Sequence, residues 1–177
     1  MDQWPSVLVR GTGMTEHGQL TDEQRGVMLR PIMPQRVSKD RNGMSHVEGF
    51  EIEAHLNRIF GFEGWDKIIQ DLWLISDVAI EKNGRTGYNV TYGCRLQLIV
   101  RDPDGRVVCT RDGAATGSAS NLPQHGEAHD FAMKNSVTYA IKIAAKTLGD
   151  QFGLSLYDKG RLEPLVGKVV PYGVDAE

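Results

Sequence analysis

The order of apolar and polar residues changes period along the chain, and each change predicts an element. Ile52, Leu56, Ile59 and Phe60 recur three and four residues apart, the spacing of one helix face, so a helix is predicted over Val47 to Phe60 with Gly61 as its stop. A strand-like run follows from Ile68 to Ile75. Lys82-Asn83-Gly84-Arg85 then reads as a hairpin, because Asn-Gly tolerates the positive φ of a type I′ turn. Beyond it the alternation is strict: Tyr88, Val90, Tyr92, Cys94, Leu96, Leu98 and Val100 face one way, Asn89, Thr91, Arg95, Gln97 and Arg101 the other. Asp104-Gly105 marks a second turn into Val107-Val108-Cys109, which completes a three-stranded antiparallel meander with one apolar face. The stretch Gly113 to Asn121 holds only small and polar residues and is predicted as a loop.

Glu127 to Leu148 returns to helical spacing and is closed by Gly149. Met133, Val137, Ala140, Ile141, Ala144 and Leu148 fall on one side of it, and Lys134, Thr138, Lys142 and Lys146 on a separate stripe. Upstream, Thr21 offers an N-cap with Gln24 at the capping-box position, and that short helix must end before Pro31. Arg30, Arg36, Lys39 and Arg41 make the next stretch basic, beside the turn dipeptide Asn42-Gly43. The organisation expected is α+β: a loose tail over 1–20, a single domain over 21–161 and a poorly ordered tail over 162–177.

Composition narrows the classes without choosing among them. With 177 residues, 40% hydrophobic and 24% charged, the chain suits one globular domain. No apolar run approaches the roughly 20 residues a membrane span needs, and no signal-peptide pattern opens the chain, so a cytoplasmic setting is expected. Cys94 and Cys109 alternate with large apolar residues and read as core. A formal net charge of −3 means that any polyanion-binding surface must come from sorting cations onto one face.

Candidate chemistry is sparse. His125-Gly-Glu127-Ala-His129 puts two imidazoles four residues apart on a helix, the basis for a metal-dependent hydrolase; but no third ligand is visible, and the favoured reading is a solvated helix start. No glycine-rich segment ends in Gly-Lys-Ser/Thr, which argues against ATP-driven strand exchange. No Ser/His/Asp or Cys/His set stands out, and no cofactor is expected. Two features remain: the lysine stripe of the last helix, and Phe60-Gly-Phe62-Glu-Gly-Trp65.

Taken in order, Val47-Glu48-Gly49, Asn57-Arg-Ile-Phe-Gly-Phe-Glu-Gly-Trp65, the meander, Ser136-Val-Thr-Tyr-Ala-Ile-Lys142, Leu148-Gly149 and Leu156-Tyr157-Asp158 resemble the Rad52 family of single-strand annealing proteins, over roughly Leu29 to Leu162. The resemblance implies a β-β-β-α core, three to four antiparallel strands against a long C-terminal helix, with copies joined side by side into rings or arcs. It implies ATP-independent annealing of complementary DNA strands in recombination, with single-stranded DNA in a basic groove and no catalytic residue. Lys142 and Lys146 match the family's phosphate-contacting cations, with Lys134 earlier on the same stripe. Arg101 matches a basic position at the end of the second meander strand, Arg41 falls near the basic end of the pre-helix segment, and Phe62 sits where relatives carry an aromatic. Arg95 and Arg111 of the meander complete the expected DNA-binding set. Ile143 and Glu51 depart from the pattern, each standing where a cation is common. The short chain suggests a compact phage or prophage version in a host cytoplasm, with an exonuclease as a further partner; a self-assembling structural protein is the remaining alternative.

Overall fold

Two tight turns set the sheet. Asn83 and Gly84 have φ of 54° and 71°, and Gly105 has φ of 81°, so the first turn adopts the double left-handed geometry that Asn-Gly favours. They join β3, β4 and β5 of a chain whose elements run α1 (Asp22–Met28), β1 (Ser38–Lys39), β2 (Ser45–His46), α2 (Gly49–Phe60), β3 (Trp65–Lys82), β4 (Arg85–Arg101), β5 (Val107–Leu122) and α3 (His125–Lys146). Single 3-10 turns occupy Pro34–Arg36, Asp150–Phe152 and Ser155–Tyr157. This computed structural model describes residues 17–170; positions 1–16 and 171–177 of the two expected tails lie outside the described residues.

The main sheet is the antiparallel meander β3–β4–β5 with α3 laid across β4 and β5. β4 buries the face its alternation predicts: Val90, Cys94, Leu96, Leu98 and Val100 are each 0–1% exposed. Fully burying such side chains contributes about 1.5–3 kcal/mol apiece. Cys94, Leu96, Leu98 and Val100 join Ile52 and Leu56 of α2, Ile141 of α3, and Ile32, Val47, Phe152 and Leu156 in one core. A smaller cluster of Val90, Ala119, Ala128 and Ala132 packs under the N-terminal half of α3. The first strand is much longer than the Ile68–Ile75 run, spanning Trp65 to Lys82, with irregularities in register around Gln70 and Ile75.

The run Gly113 to Asn121 is a strand, not a loop. It is the second half of β5, with Gly113 opposite Leu96, Ala115 opposite Cys94 and Gly117 opposite Tyr92. Its residues are small because α3 lies directly on it. A Cβ at Gly113 would collide with the Ala140 carbonyl, and one at Gly117 with the backbone of Ala132, Asn135 and Ser136. The facing stripe of α3 is correspondingly small: Ala128, Ala132, Ser136, Ala140, Ala144 and Ala145 are buried with Ile141, while Met133, Val137 and Leu148 sit at the margin.

The N-terminal signals act locally. Thr21 Oγ1 accepts the Gln24 N–H at 3.2 Å, and Gln24 Oε1 accepts the Thr21 N–H at 3.0 Å, a complete capping box. Gly61, with φ of 79°, caps α2. Gly64 passes so close to the Phe60 carbonyl that a side chain would clash. Trp65 then donates its indole N–H to Asn57 Oδ1 at 2.8 Å. The Phe-Gly-x-x-Gly-Trp segment is thus the corner that turns α2 into β3.

Candidate nucleic-acid interface

The second half of α3 forms one wall of a groove. Opposite it stand the β1–β2 ribbon, the start of α2 and the turns that follow α3. The groove has a volume of about 760 Å³. Its cations are Lys142 and Lys146 from α3, Lys39 from the ribbon and Lys159 from the C-terminal turns; Val47, Ile52, Phe152 and Leu156 supply apolar lining. Lys142 and Lys146 are one helical turn apart, which puts both on the same face. Two tyrosines accompany them. Lys142 Nζ lies 5.8 Å from the centre of the Tyr139 ring, and Lys146 Nζ lies 3.8 Å from that of Tyr157, within cation–π range. Tyr139 and Tyr157 are themselves exposed.

Acidic neighbours are engaged at the rim. Asp40 turns its carboxylate back onto its own loop, where Oδ1 accepts the N–H groups of Asn42 and Met44 at 2.8 and 2.9 Å. The Met44 hydrogen bond leads the interactions that hold its pKa below the ordinary range. Glu48 Oε1 accepts from His46 Nε2 at 3.0 Å. Lys142 is half-buried, and desolvation pulls its pKa down, opposed by the charge of Glu48.

A partly buried ionic cluster is built on α2, with Arg36 buried, Glu51 half-buried and Arg58 exposed. Glu51 Oε1 accepts from Arg36 Nε at 2.8 Å and from Arg58 Nη1 at 2.6 Å. Burial works against the Glu51 charge, but the hydrogen bonds from the two arginines outweigh it and hold the carboxyl below its usual range. Arg36 Nη1 also donates to Gln151 Oε1 at 3.0 Å, and Gln151 Nε2 donates to the carbonyls of Arg30 and Pro31. Glu51 therefore ties Arg36 to α2, and Arg36 carries the link on to Gln151 in the turn after α3. Arg36, one of the cations of the basic segment, is inside the protein rather than on its surface.

Of the eight residues expected to meet DNA, Lys142 and Lys146 share the groove. Arg41 is exposed in the β1–β2 turn, between groove residues Asp40 and Gly43 in sequence. The other five stand elsewhere. Lys134 is paired with Asp130 at 2.6 Å on the outer side of α3. Arg101 is held by Asp66 through Nε and Nη2 at 3.1 and 3.0 Å. Arg95 is exposed on the face of the sheet away from α3, Arg111 donates to the Thr110 carbonyl, and Phe62 projects 86% exposed from the α2–β3 corner. Lys39, Lys159, Tyr139 and Tyr157 are additions that only the fold supplies, because they come from three separate segments. His125 and His129 lie towards the other end of α3, about 25 and 20 Å from Lys142 at 1.5 Å per residue.

An antiparallel meander under one long helix, with a lysine- and tyrosine-lined groove at the C-terminal end of that helix, defines the class. Residues 28–166 match the model of the Rad52/22 family, described as double-strand break repair proteins. The chain belongs to that family. It is 30% identical over 154 residues to the DNA repair and recombination protein rad22 of Schizosaccharomyces pombe, covering 81% of this chain and 30% of the relative. It is 29% identical over 130 residues to the DNA repair and recombination protein RAD52 of Eremothecium gossypii, covering 73% of this chain and 28% of the relative. The RAD52 protein of Kluyveromyces lactis is 26% identical over 152 residues, 84% of this chain and 32% of its own length. The chain thus spans about a third of the length of these fungal relatives. Among the described residues no helix is long and apolar enough to cross a membrane.

Proposed function

We propose that this protein binds single-stranded DNA along the α3 groove and anneals complementary strands, as a homo-oligomer, in DNA repair and recombination. The observation that carries the reading is the convergence of Lys39, Lys142, Lys146 and Lys159 with Tyr139 and Tyr157 on one groove, in a chain that belongs to the Rad52/22 family. Lysines neutralise phosphates and release counterions, which gives binding independent of base sequence and sensitive to salt. Exposed tyrosines offer stacking faces that accept any base. A groove that grips the backbone leaves base edges available to a second strand, and base pairing then drives annealing without nucleotide hydrolysis. One groove is a weak site; several in a row act through effective concentration.

The sheet edge supports assembly. β3 presents 18 residues at the edge of the meander, and Ile68, Ile69, Leu72, Trp73, Leu74, Ile75, Val78 and Ile80 are each 37–51% exposed. Neighbouring residues on a strand point to opposite faces, so apolar surface is uncovered on both sides. A long apolar edge of this kind pairs with another chain unless something covers it; a second copy supplies the cover and brings the next groove alongside. The test is fluorescence annealing of complementary oligonucleotides by the purified protein, with no nucleotide or metal, across a salt series. Annealing well above the protein-free rate, falling steeply as salt rises, is the expected result; a rate equal to the protein-free control rejects the function.

A further inference from the structure

At the N-terminal end of α3, three ligand atoms from two elements converge. His125 Nε2 lies 2.9 Å from both Oδ1 and Oδ2 of Asp77 on β3. His129 Nε2 lies 3.1 Å from His125 Nε2 and 3.4 Å from Asp77 Oδ2. We propose that Asp77, His125 and His129 form a binding site for a zinc-class divalent metal that fastens edge strand β3 to the first turns of α3. The third ligand missing from the sequence reading comes from 48 residues upstream, and Glu127 has no part in the cluster.

The separations fit the chemistry. Zinc bonded to nitrogen and oxygen at about 2.0–2.2 Å in a tetrahedron spaces its ligand atoms about 3.3 Å apart. The observed 2.9, 3.1 and 3.4 Å bracket that value. The local arrangement also asks for a cation. Without a metal, either one hydrogen on His125 Nε2 is shared between the carboxylate and His129, or both Nε2 atoms carry hydrogen and face each other at 3.1 Å, whereas a metal ion accepts lone pairs from all three residues. The imidazoles are held from outside: His129 Nδ1 is 3.0 Å from the Tyr92 hydroxyl, which leaves Nε2 facing inward, and Tyr88 stacks on His125 at 4.5 Å. Such supporting contacts fix ring orientation in metal sites. Two imidazoles with one carboxylate favour zinc, nickel or copper over magnesium or calcium. His125 is half-exposed, so the fourth position opens to solvent.

This inference is independent of the DNA-binding reading, and its test does not use annealing. The full chain is stripped with chelator, dialysed and titrated with zinc by calorimetry, and separately with cobalt while its visible spectrum is followed. One metal per chain, a tetrahedral cobalt band and a raised melting temperature are expected. D77N and H129A should each weaken binding at least tenfold. Y92F, which keeps all three ligands, should weaken it about tenfold through the lost support. Circular dichroism verifies that each variant is folded. Failure of the stripped wild-type chain to bind zinc overturns the proposal, as does equal zinc affinity in the wild type and a folded H125A/H129A variant.

Discussion

His55 is the residue whose protonation is least compatible with its surroundings. It is 5% exposed, both ring nitrogens lack a hydrogen-bond partner, and the Phe152 ring meets it edge-on at 5.4 Å. Burial, reinforced by the charges of Arg36 and Arg58, lowers its pKa from 6.5 to about 4. The folded protein therefore holds His55 neutral while the unfolded chain takes up a proton below pH 6.5. The stability associated with the neutral ring is complete above pH 6.5, declines as pH falls, and is gone below about pH 4. The full loss is on the order of 3 kcal/mol. Melting temperature measured from pH 7 to 4 should fall less steeply in H55L than in the wild type; parallel curves would contradict the assignment. Its spacing from Ile52 and Ile59 puts His55 on the buried face of α2 with Arg58 nearby, but Arg36 comes from a different segment and no local pattern announces it.

At the scale of the element, β5 and α3 show what patterning conveys and what it misses. Alternation and the Asn-Gly and Asp-Gly turns were enough to read β4 and both hairpins, since bulky side chains on one face leave a period of two. The second half of β5 has no such period. Its partner is the backbone of α3, and a surface that must admit a helix backbone is written in glycine, alanine and serine, the letters of a loop. The same close approach explains why alanines rather than the larger apolar residues hold the contact side of α3. The two glycine classes can be compared directly. G117A places a methyl against the Ala132–Ser136 backbone and should destabilise by about 1–3 kcal/mol. G26A in α1 meets nothing within 4 Å and should be neutral or stabilising by up to about 1 kcal/mol. Thermal unfolding of both variants at one protein concentration checks the order; equal stability would refute the packing argument.

Across the whole molecule, two groups of cations stand out. Arg36, Arg58, Arg101 and Lys134 are paired with carboxylates and serve the fold or its surface. Lys39, Lys142, Lys146 and Lys159 line the groove, which is how a chain of net charge −3 keeps a basic surface. That Lys142 and Lys146 share a face was legible because a helix repeats its faces, but Lys134 of the same expected stripe stands apart, paired with Asp130. Lys39 and Lys159 were not legible, because their position depends on the ribbon and the terminal turns folding back onto α3. Assembly belongs to this scale too. V78K puts a charge on the exposed apolar edge of β3 and should shift the protein to smaller species in light scattering while leaving its circular dichroism intact; an unchanged particle mass would exclude that edge as the joint.

The most direct measurement is the salt dependence of single-stranded DNA affinity for the wild type and K142A/K146A. If both lysines neutralise phosphates, the double variant binds at least tenfold more weakly at moderate salt. Its log–log slope is then shallower by about 0.7 per lost phosphate contact in each engaged subunit, with folding and oligomer mass unchanged. Wild-type affinity and slope in a folded double variant would contradict the account.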